Sequence, residues 1–233
     1  MTTTDEASEH RRYRRAEPAF ARAVGRALGD ARSVLQVATD ARTPRYAPDD
    51  RAVTTIGSPD APLPFTDDAF DAAVSAFSLP DRDDLESGIT ELRRVTRGPV
   101  VLLVSDPERL AHSWLAEYAP EVVAAEARRH PPLDRVVAAL EGASVACTPV
   151  PIPFTCVDGF SEAYYARPER LLDAGARRAD PAWGLVDELT ARRSVAALRT
   201  AIESGDWDRR HGALRVRPSH EGSVVLVVAE PTA

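Results

Sequence analysis

The chain contains no lysine: all 29 of its basic residues are arginine. That excludes Schiff-base chemistry on a lysine side chain. With abundant Ala, Val and Pro, it reads as the mark of a high-GC genome rather than as a binding device. The arginines are spread along a chain of net charge −7. Apart from the run His10–Arg15, expected as the solvated face of an N-terminal helix, no clustered basic face suits a nucleic acid. Cysteine is scarce as well. Cys147 and Cys156 do not have metal-ligand spacing and no His cluster accompanies them, so no metal is expected. Two unpaired thiols fit a reducing, cytoplasmic setting. No apolar run approaches the ~18 residues of a membrane span. The polar opening MTTTDEASEH is not a signal peptide. Nucleophile elbows, phosphate loops and Ser-x-x-Lys motifs are also missing. Finally, no glycine stands between Gly29 and Gly57.

What is present is an ordinary globular composition. An apolar share of 44% and a charged share of 28% over 233 residues can fill one large core. The spacing of Ala16, Phe20, Val24 and Leu28 predicts a helix over 8–30, ended by Gly29. Strands are expected at Ser33–Ala38, Ala52–Ile56, Phe70–Phe77 and Pro99–Val104. The last is almost wholly aliphatic, as strands buried on both faces are. Helices are expected at Asp83–Thr96, Pro107–Glu117 and Leu133–Glu141. Ala143–Ile152 reads as a strand that Pro149 and Pro151 confine to an edge. Gly159–Arg178 and Leu185–Glu203 read as a helical insertion, and Ala213–Val216 and Val224–Ala229 as closing strands. Strands alternating with helices argue for a doubly wound α/β sheet.

Residues 63–107 read LPFTDDAFDAAVSAFSLPDRDDLESGITELRRVTRGPVVLLVSDP. The segments LPFTDDAFDAAVSAFSL, TELRRVTRGPVVLLVSDP, WLAEYAPEVV, CVDGFSEAYYARPERLLD and ESGDWDRRHGALR together resemble class I S-adenosylmethionine (SAM) dependent methyltransferases. The nearest likeness is to actinobacterial small-molecule enzymes related to the ubiquinone and menaquinone methyltransferases. The resemblance runs from about Phe20 to Pro231. It implies one Rossmann-like methyltransferase domain over 1–233: an N-terminal tail and helix (1–30), a sheet core (33–152), a helical cap (153–212) and C-terminal strands (213–233).

The cofactor motifs of that family are not matched. Where glycines let the backbone approach SAM, this chain has Ala38-Thr39-Asp40-Ala41-Arg42-Thr43. Where an acid follows the second strand, it has Ile56-Gly57-Ser58, with Asp60 the nearest substitute. Only residues 57–69 separate that strand from the next. A parallel crossover needs at least about 10–12 residues before any strand is added, so the family's third strand is expected to be deleted. The loop after the fourth family strand holds Ser78-Leu79-Pro80-Asp81 in place of the His often found there.

Ligands of open α/β sheets sit outside the carboxyl ends of the strands. The candidates there are Asp40, Ser78, Asp81, Arg82, Ser105 and Asp106. The cap adds His112, Trp114, Tyr118, Cys156, Asp158, Phe160, Tyr164, Tyr165 and Arg167. Proton transfer falls to Asp40, Asp106, Tyr118, Asp158 and Tyr164, and the other residues contact substrate. Competing structural readings stand beside these. Asp40 can cap a loop and Asp106 a helix. His112 can be a surface or core histidine. Trp114 and Tyr118, four apart, can be core, and Cys156 can be an inert buried thiol. The expectation is therefore a methyltransferase fold that has lost SAM, takes no cofactor, and performs cyclisation, elimination or isomerisation of a small molecule in specialised metabolism. Two alternatives stay open: a SAM-dependent methyltransferase with an atypical pocket, and a non-catalytic partner subunit or homo-oligomer joined through the exposed second-strand edge.

Overall fold

A computed structural model describes residues 10–38, 44–57, 62–79 and 84–232. Asp40, Arg42, Asp60, Asp81 and Arg82 lie outside the described residues. The chain forms two compact units. One comprises Pro18–Asp106, His130–Val150 and the residues from Val224 onward; the other comprises the residues up to Glu17, Pro107–Arg129 and Pro151–Ser223.

The first unit is a six-stranded sheet in the order β2-β1-β3-β4-β8-β5. Its strands are β1 Ser33–Val37, β2 Ala52–Ile56, β3 Ala72–Ala76, β4 Val100–Ser105, β5 Ala143–Pro149 and β8 Val224–Pro231. The first four are parallel, and β8 lies antiparallel between β4 and β5. Every residue of β3 and the first five of β4 are buried, which is why those runs carry no alternation. No helix or strand stands between β2 and β3 among the described residues, so β2 is the sheet edge. β5 is the other edge and ends at Pro149, as its prolines require.

One face of the sheet packs Leu35, Val37, Ala73, Leu102, Val104, Val225 and Val227 against Leu85, Ile89 and Leu92 of helix α2 (Leu85–Arg94) and Val136 of α5 (Leu133–Ala139). Helix α1 (Pro18–Ala27) buries Phe20, Ala23 and Val24. The expected longer helix over 8–30 is interrupted, because Pro18 cannot continue a helix from its N-terminal side and instead opens one. Asp84 caps α2 by accepting from Ser87 N at 3.1 Å and Ser87 Oγ at 2.6 Å. β3 is shorter than Phe70–Phe77: Asp68 takes φ 57° and Phe70 makes only an isolated bridge to Thr96. Gly98 is required, since a Cβ there would collide with the carbonyl of Asp71.

The second unit is built of short helices and turns: α3 Pro107–Ala111, α4 Pro120–Arg129, α6 Ala174–Ala179, α7 Glu188–Glu203 and α8 Asp206–His211, with a small antiparallel pair of β6 Ile152–Pro153 and β7 Ser219–His220. Three sequence expectations are corrected here. The helix over Pro107–Glu117 stops at Ala111 and resumes as a 3-10 turn at Trp114–Glu117. Much of Gly159–Arg178 is 3-10 turn, Ser161–Tyr164 and Pro168–Leu172 among it, because Pro168 opens a new turn instead of extending the last. Ala213–Val216 is part of a 3-10 segment, Gly212–Val216, and not a strand. Helix α4 was not foreseen. No helix in the structure is long and apolar enough to cross a membrane, among the described residues.

Candidate functional site

In the sheet unit, β1 is flanked by β2 on one side and β3 on the other. The chain leaves β1 for one neighbour and returns to the other, which makes the carboxyl ends of β1 and β3 a topological switch point. Three described residues mark it. Ser78 is fully buried, and its Oγ lies 3.0 Å from Ala76 O and 3.5 Å from Val37 O, so it spans the two strand ends. Phe77, beside it, has φ 53°, a conformation that costs energy for a bulky residue and recurs at ligand sites. Its ring packs 6.3 Å from Phe20 and 6.2 Å from Tyr46, both inaccessible to solvent. Gln36, on β1, uses Oε1 to accept from Ala47 N at 3.0 Å. Its Nε2 is buried with no hydrogen-bond partner. A donor left so costs about 1–3 kcal/mol, so this position calls for an acceptor that the described residues do not supply.

These features bear on whether SAM fits. The topological switch point and the unpartnered Gln36 amide suit a polar ligand near the ends of β1 and β3. At the end of β2 no acid follows Ile56 among the described residues. Gly57 is open there, since a Cβ would meet nothing within 4 Å. Among the described residues, the switch point and the Gln36 donor suit such a polar cofactor, and the family's usual ribose carboxylate is not found.

The most recognisable motif serves structure. Glu91 accepts from Leu63 N at 2.7 Å and from Arg94 Nε and Nη2 at 2.9 Å. Arg94 in turn donates to Phe65 O at 2.9 Å, Leu63 O at 3.1 Å and Asp67 at 2.8 Å. The Arg94 guanidinium first, and the Leu63 amide second, hold the Glu91 carboxyl down at about 2. The Pro-Phe segment and the Glu-Leu-Arg-Arg helix are thus one staple that leads the chain into β3.

In the second unit, Asp158 is fully buried and paired with Arg14. Around them Glu17 accepts from Val157 N at 3.0 Å, and Gly159 donates to Tyr13 O at 2.9 Å. Cys156 Sγ lies 3.4 Å from Asp158 O. Burial, and then the Asp158 and Glu17 carboxylates, push its thiol well above the ordinary range, so it is an inert thiol at neutral pH. Arg167 Nη2 donates to Cys156 O at 3.4 Å. Tyr164 is pushed up to about 12, by burial and then by Asp180. Two further carboxylates lie inside. Glu162 accepts from Ser223 N at 3.0 Å and Ser223 Oγ at 2.6 Å. Asp180 accepts from Ser161 N at 2.7 Å and Ala182 N at 3.1 Å. Burial raises both above the usual carboxylate range.

A second cluster in this unit is aromatic. Trp114 and Trp207 meet edge to face at 6.0 Å, and His211 packs 5.5 Å from Trp207 and 6.0 Å from Tyr118. His211 Nε2 lies 3.3 Å from Glu117 Oε1. Trp114 Nε1, Tyr118 OH and Trp207 Nε1 are buried without hydrogen-bond partners among the described residues. Burial, then Glu117 and Asp206, raises the Tyr118 phenol.

The sequence candidates therefore separate. Ser78 and the half-buried Asp106 belong to the sheet unit. Cys156, Asp158 and Arg167 form the first cluster of the other unit, and Trp114 and Tyr118 the second. Tyr165 stands apart, donating to Arg217 O at 3.2 Å with its ring 5.0 Å from that of His220. Phe160 is half-buried just ahead of the Ser161–Tyr164 turn. His112 is exposed and its Nδ1 lies 2.8 Å from Glu108 O in its own helical turn, a surface role. Sequence reasoning missed Gln36, Arg14, Glu17, Glu162, Asp180 and His211. No local pattern marks them, because each is defined by a partner remote in sequence or by burial. Among the described residues no group of three or more His, Cys, Asp or Glu is gathered for a metal.

No protein-family model matches the sequence, and no curated relative does either. Solved structures do. A candidate methyltransferase from an antibiotic biosynthesis pathway of Anabaena variabilis matches with a TM-score of 0.80 at 19% identity, over 94% of this chain and 99% of that one. More distant in shape is a SAM-dependent methyltransferase from Aquifex aeolicus, with TM-score 0.40, 15% identity and coverage of 56% and 83%. Geranyl diphosphate C-methyltransferase from Streptomyces coelicolor A3(2), solved with Mg2+, geranyl diphosphate and S-adenosyl-L-homocysteine, matches with TM-score 0.46 at 13% identity over 92% and 80%. The expectation of a cofactor-free protein is corrected by the fold, which is the one that SAM-dependent methyltransferases use. The chain has the class I SAM-dependent methyltransferase fold.

Proposed function

We propose that this chain is a SAM-dependent methyltransferase of small organic acceptors, with an atypical cofactor pocket. The observation that carries the reading is the β1–β3 switch point, with Gln36 on β1 leaving its amide unpartnered among the described residues. When bound, SAM would supply an electrophilic methyl group. Gln36 would donate to an acceptor atom of the cofactor, while its Oε1 keeps the 44–47 segment against β1. Ser78 ties the ends of β1 and β3 together, and the Phe20, Tyr46 and Phe77 rings exclude water beneath them. The family's ribose carboxylate would be replaced by Asp40 or Asp60.

A specialised-metabolism setting is supported by the antibiotic-pathway origin of the Anabaena protein. Co-crystallisation with S-adenosylhomocysteine tests the reading. Ligand density over the carboxyl ends of β1 and β3, within reach of Gln36 Nε2, is expected. Density elsewhere, or none at saturating ligand, would overturn it.

A further inference from the structure

We propose that two copies of this chain pair through their β2 edges, antiparallel about a two-fold axis at Thr54. The proposal is independent of the methyl-transfer reading.

The outer side of β2 has no strand beside it among the described residues. Ala52 N donates to Arg32 O at 2.8 Å, and Ile56 O accepts from Ala38 N at 2.9 Å. In a parallel ladder alternate residues bond to the same neighbour, so Ala52, Thr54 and Ile56 spend their backbone groups on β1. Val53 and Thr55 therefore direct theirs outward, and no partner meets them among the described residues. The four residues Ala52–Thr55 are exposed.

Natural sheet edges are guarded by charge, proline or a bulge. This one has none: it reads Ala-Val-Thr-Thr-Ile, neutral and largely β-branched. The nearest cation is tied back instead, with Arg51 donating to Ala31 O and to Gly29 O at the other side of the strand entry.

The edge is complementary to itself. With Thr54 opposite Thr54 of a second copy, Val53 of each faces Thr55 of the other. Both are outward-bonding positions, so the pair closes four backbone hydrogen bonds in register. Thr54 then meets its counterpart as the close, non-hydrogen-bonded pair, where two threonines pack well. The flanking charges also permit it. In this register Arg51 faces Gly57, so no like charges meet across the paired strands and their immediate flanks. A contact of two five-residue strands is small beside the roughly 1,200–2,000 Å² of stable interfaces, so the dimer forms at micromolar rather than nanomolar concentration.

Light scattering on the purified protein across micromolar to millimolar concentration tests this. The mass is expected to rise from 25.2 kDa toward twice that value. Thr55→Pro, which removes an outward N–H and no β1 bond, and Thr54→Glu, which sets two carboxylates face to face, are each expected to hold the protein at the monomer mass with unchanged circular dichroism. A wild-type protein that stays monomeric to millimolar concentration would overturn the proposal. So would a dimer that survives both substitutions.

Discussion

Arg14 and Asp158, 144 positions apart in sequence, form a buried ion pair in which the carboxylate is wholly shielded from water. The pair fastens the N-terminal segment to the strand-like stretch Cys156–Gly159, helped by the Gly159 to Tyr13 bond. Removing one partner strands a buried charge, which typically costs about 3–5 kcal/mol. Arg14→Met is expected to lower unfolding free energy by that order in urea denaturation. A loss below about 1 kcal/mol, the size of an exposed pair, would show that the pair is solvated.

Glu91 gives a pH prediction. Its folded value of about 2 lies below the ordinary 4.5, chiefly through Arg94. A carboxyl depressed in the folded state contributes stability above its unfolded value, and that stability is lost as pH falls toward the folded value. The contribution is therefore expected to fade between pH 4.5 and about 2. Glu91→Gln should flatten the acid limb of a melting-temperature profile in that window. At neutral pH it should cost about 1–2 kcal/mol, the scale of lost charged hydrogen bonds. An acid limb identical to wild type would contradict the staple.

The two thiols should behave differently. Cys147 is exposed on β5 and Cys156 is buried, with its ionisation opposed by burial and by two carboxylates. Iodoacetamide at pH 8 is expected to modify Cys147 alone in the native protein and both thiols in denaturant, read by peptide mass spectrometry. Native labelling of Cys156 at a comparable rate would contradict the buried assignment.

Gln36→Met keeps the side-chain volume but removes both the Ala47 contact and the free donor. Affinity for S-adenosylhomocysteine is expected to fall about tenfold, or ~1.4 kcal/mol. Gln36→Glu should lose at least as much, since it offers an acceptor where a donor is needed. Unchanged affinity in both would remove Gln36 from the site.

The sheet was legible because its strands carry the evidence in themselves. Pro99–Val104 is aliphatic throughout, and β4 proved buried along almost its whole length. That no strand stands between β2 and β3 among the described residues was legible from chain length alone. The second unit was less so. Its prolines restart the chain every few residues, so apolar spacing over Gly159–Arg178 gave helix where the structure has 3-10 turns. Residues 213–216 read as a strand, but the chain turns there between Gly212 and Arg217. Helix α4 was overlooked, although Pro120 opens it as prolines open helices. The buried acids were out of reach altogether. Glu162 looks like a surface residue until Ser223 is known to meet it, 61 positions away. The cofactor motifs led furthest astray. Their absence was read as loss of the cofactor, whereas the fold is that of class I SAM-dependent methyltransferases.

Calorimetric titration of the purified protein with S-adenosylhomocysteine tests the central claim most directly. Saturable binding of one ligand per chain in the micromolar range is the predicted result. No heat of binding at millimolar ligand would contradict a SAM-dependent methyltransferase.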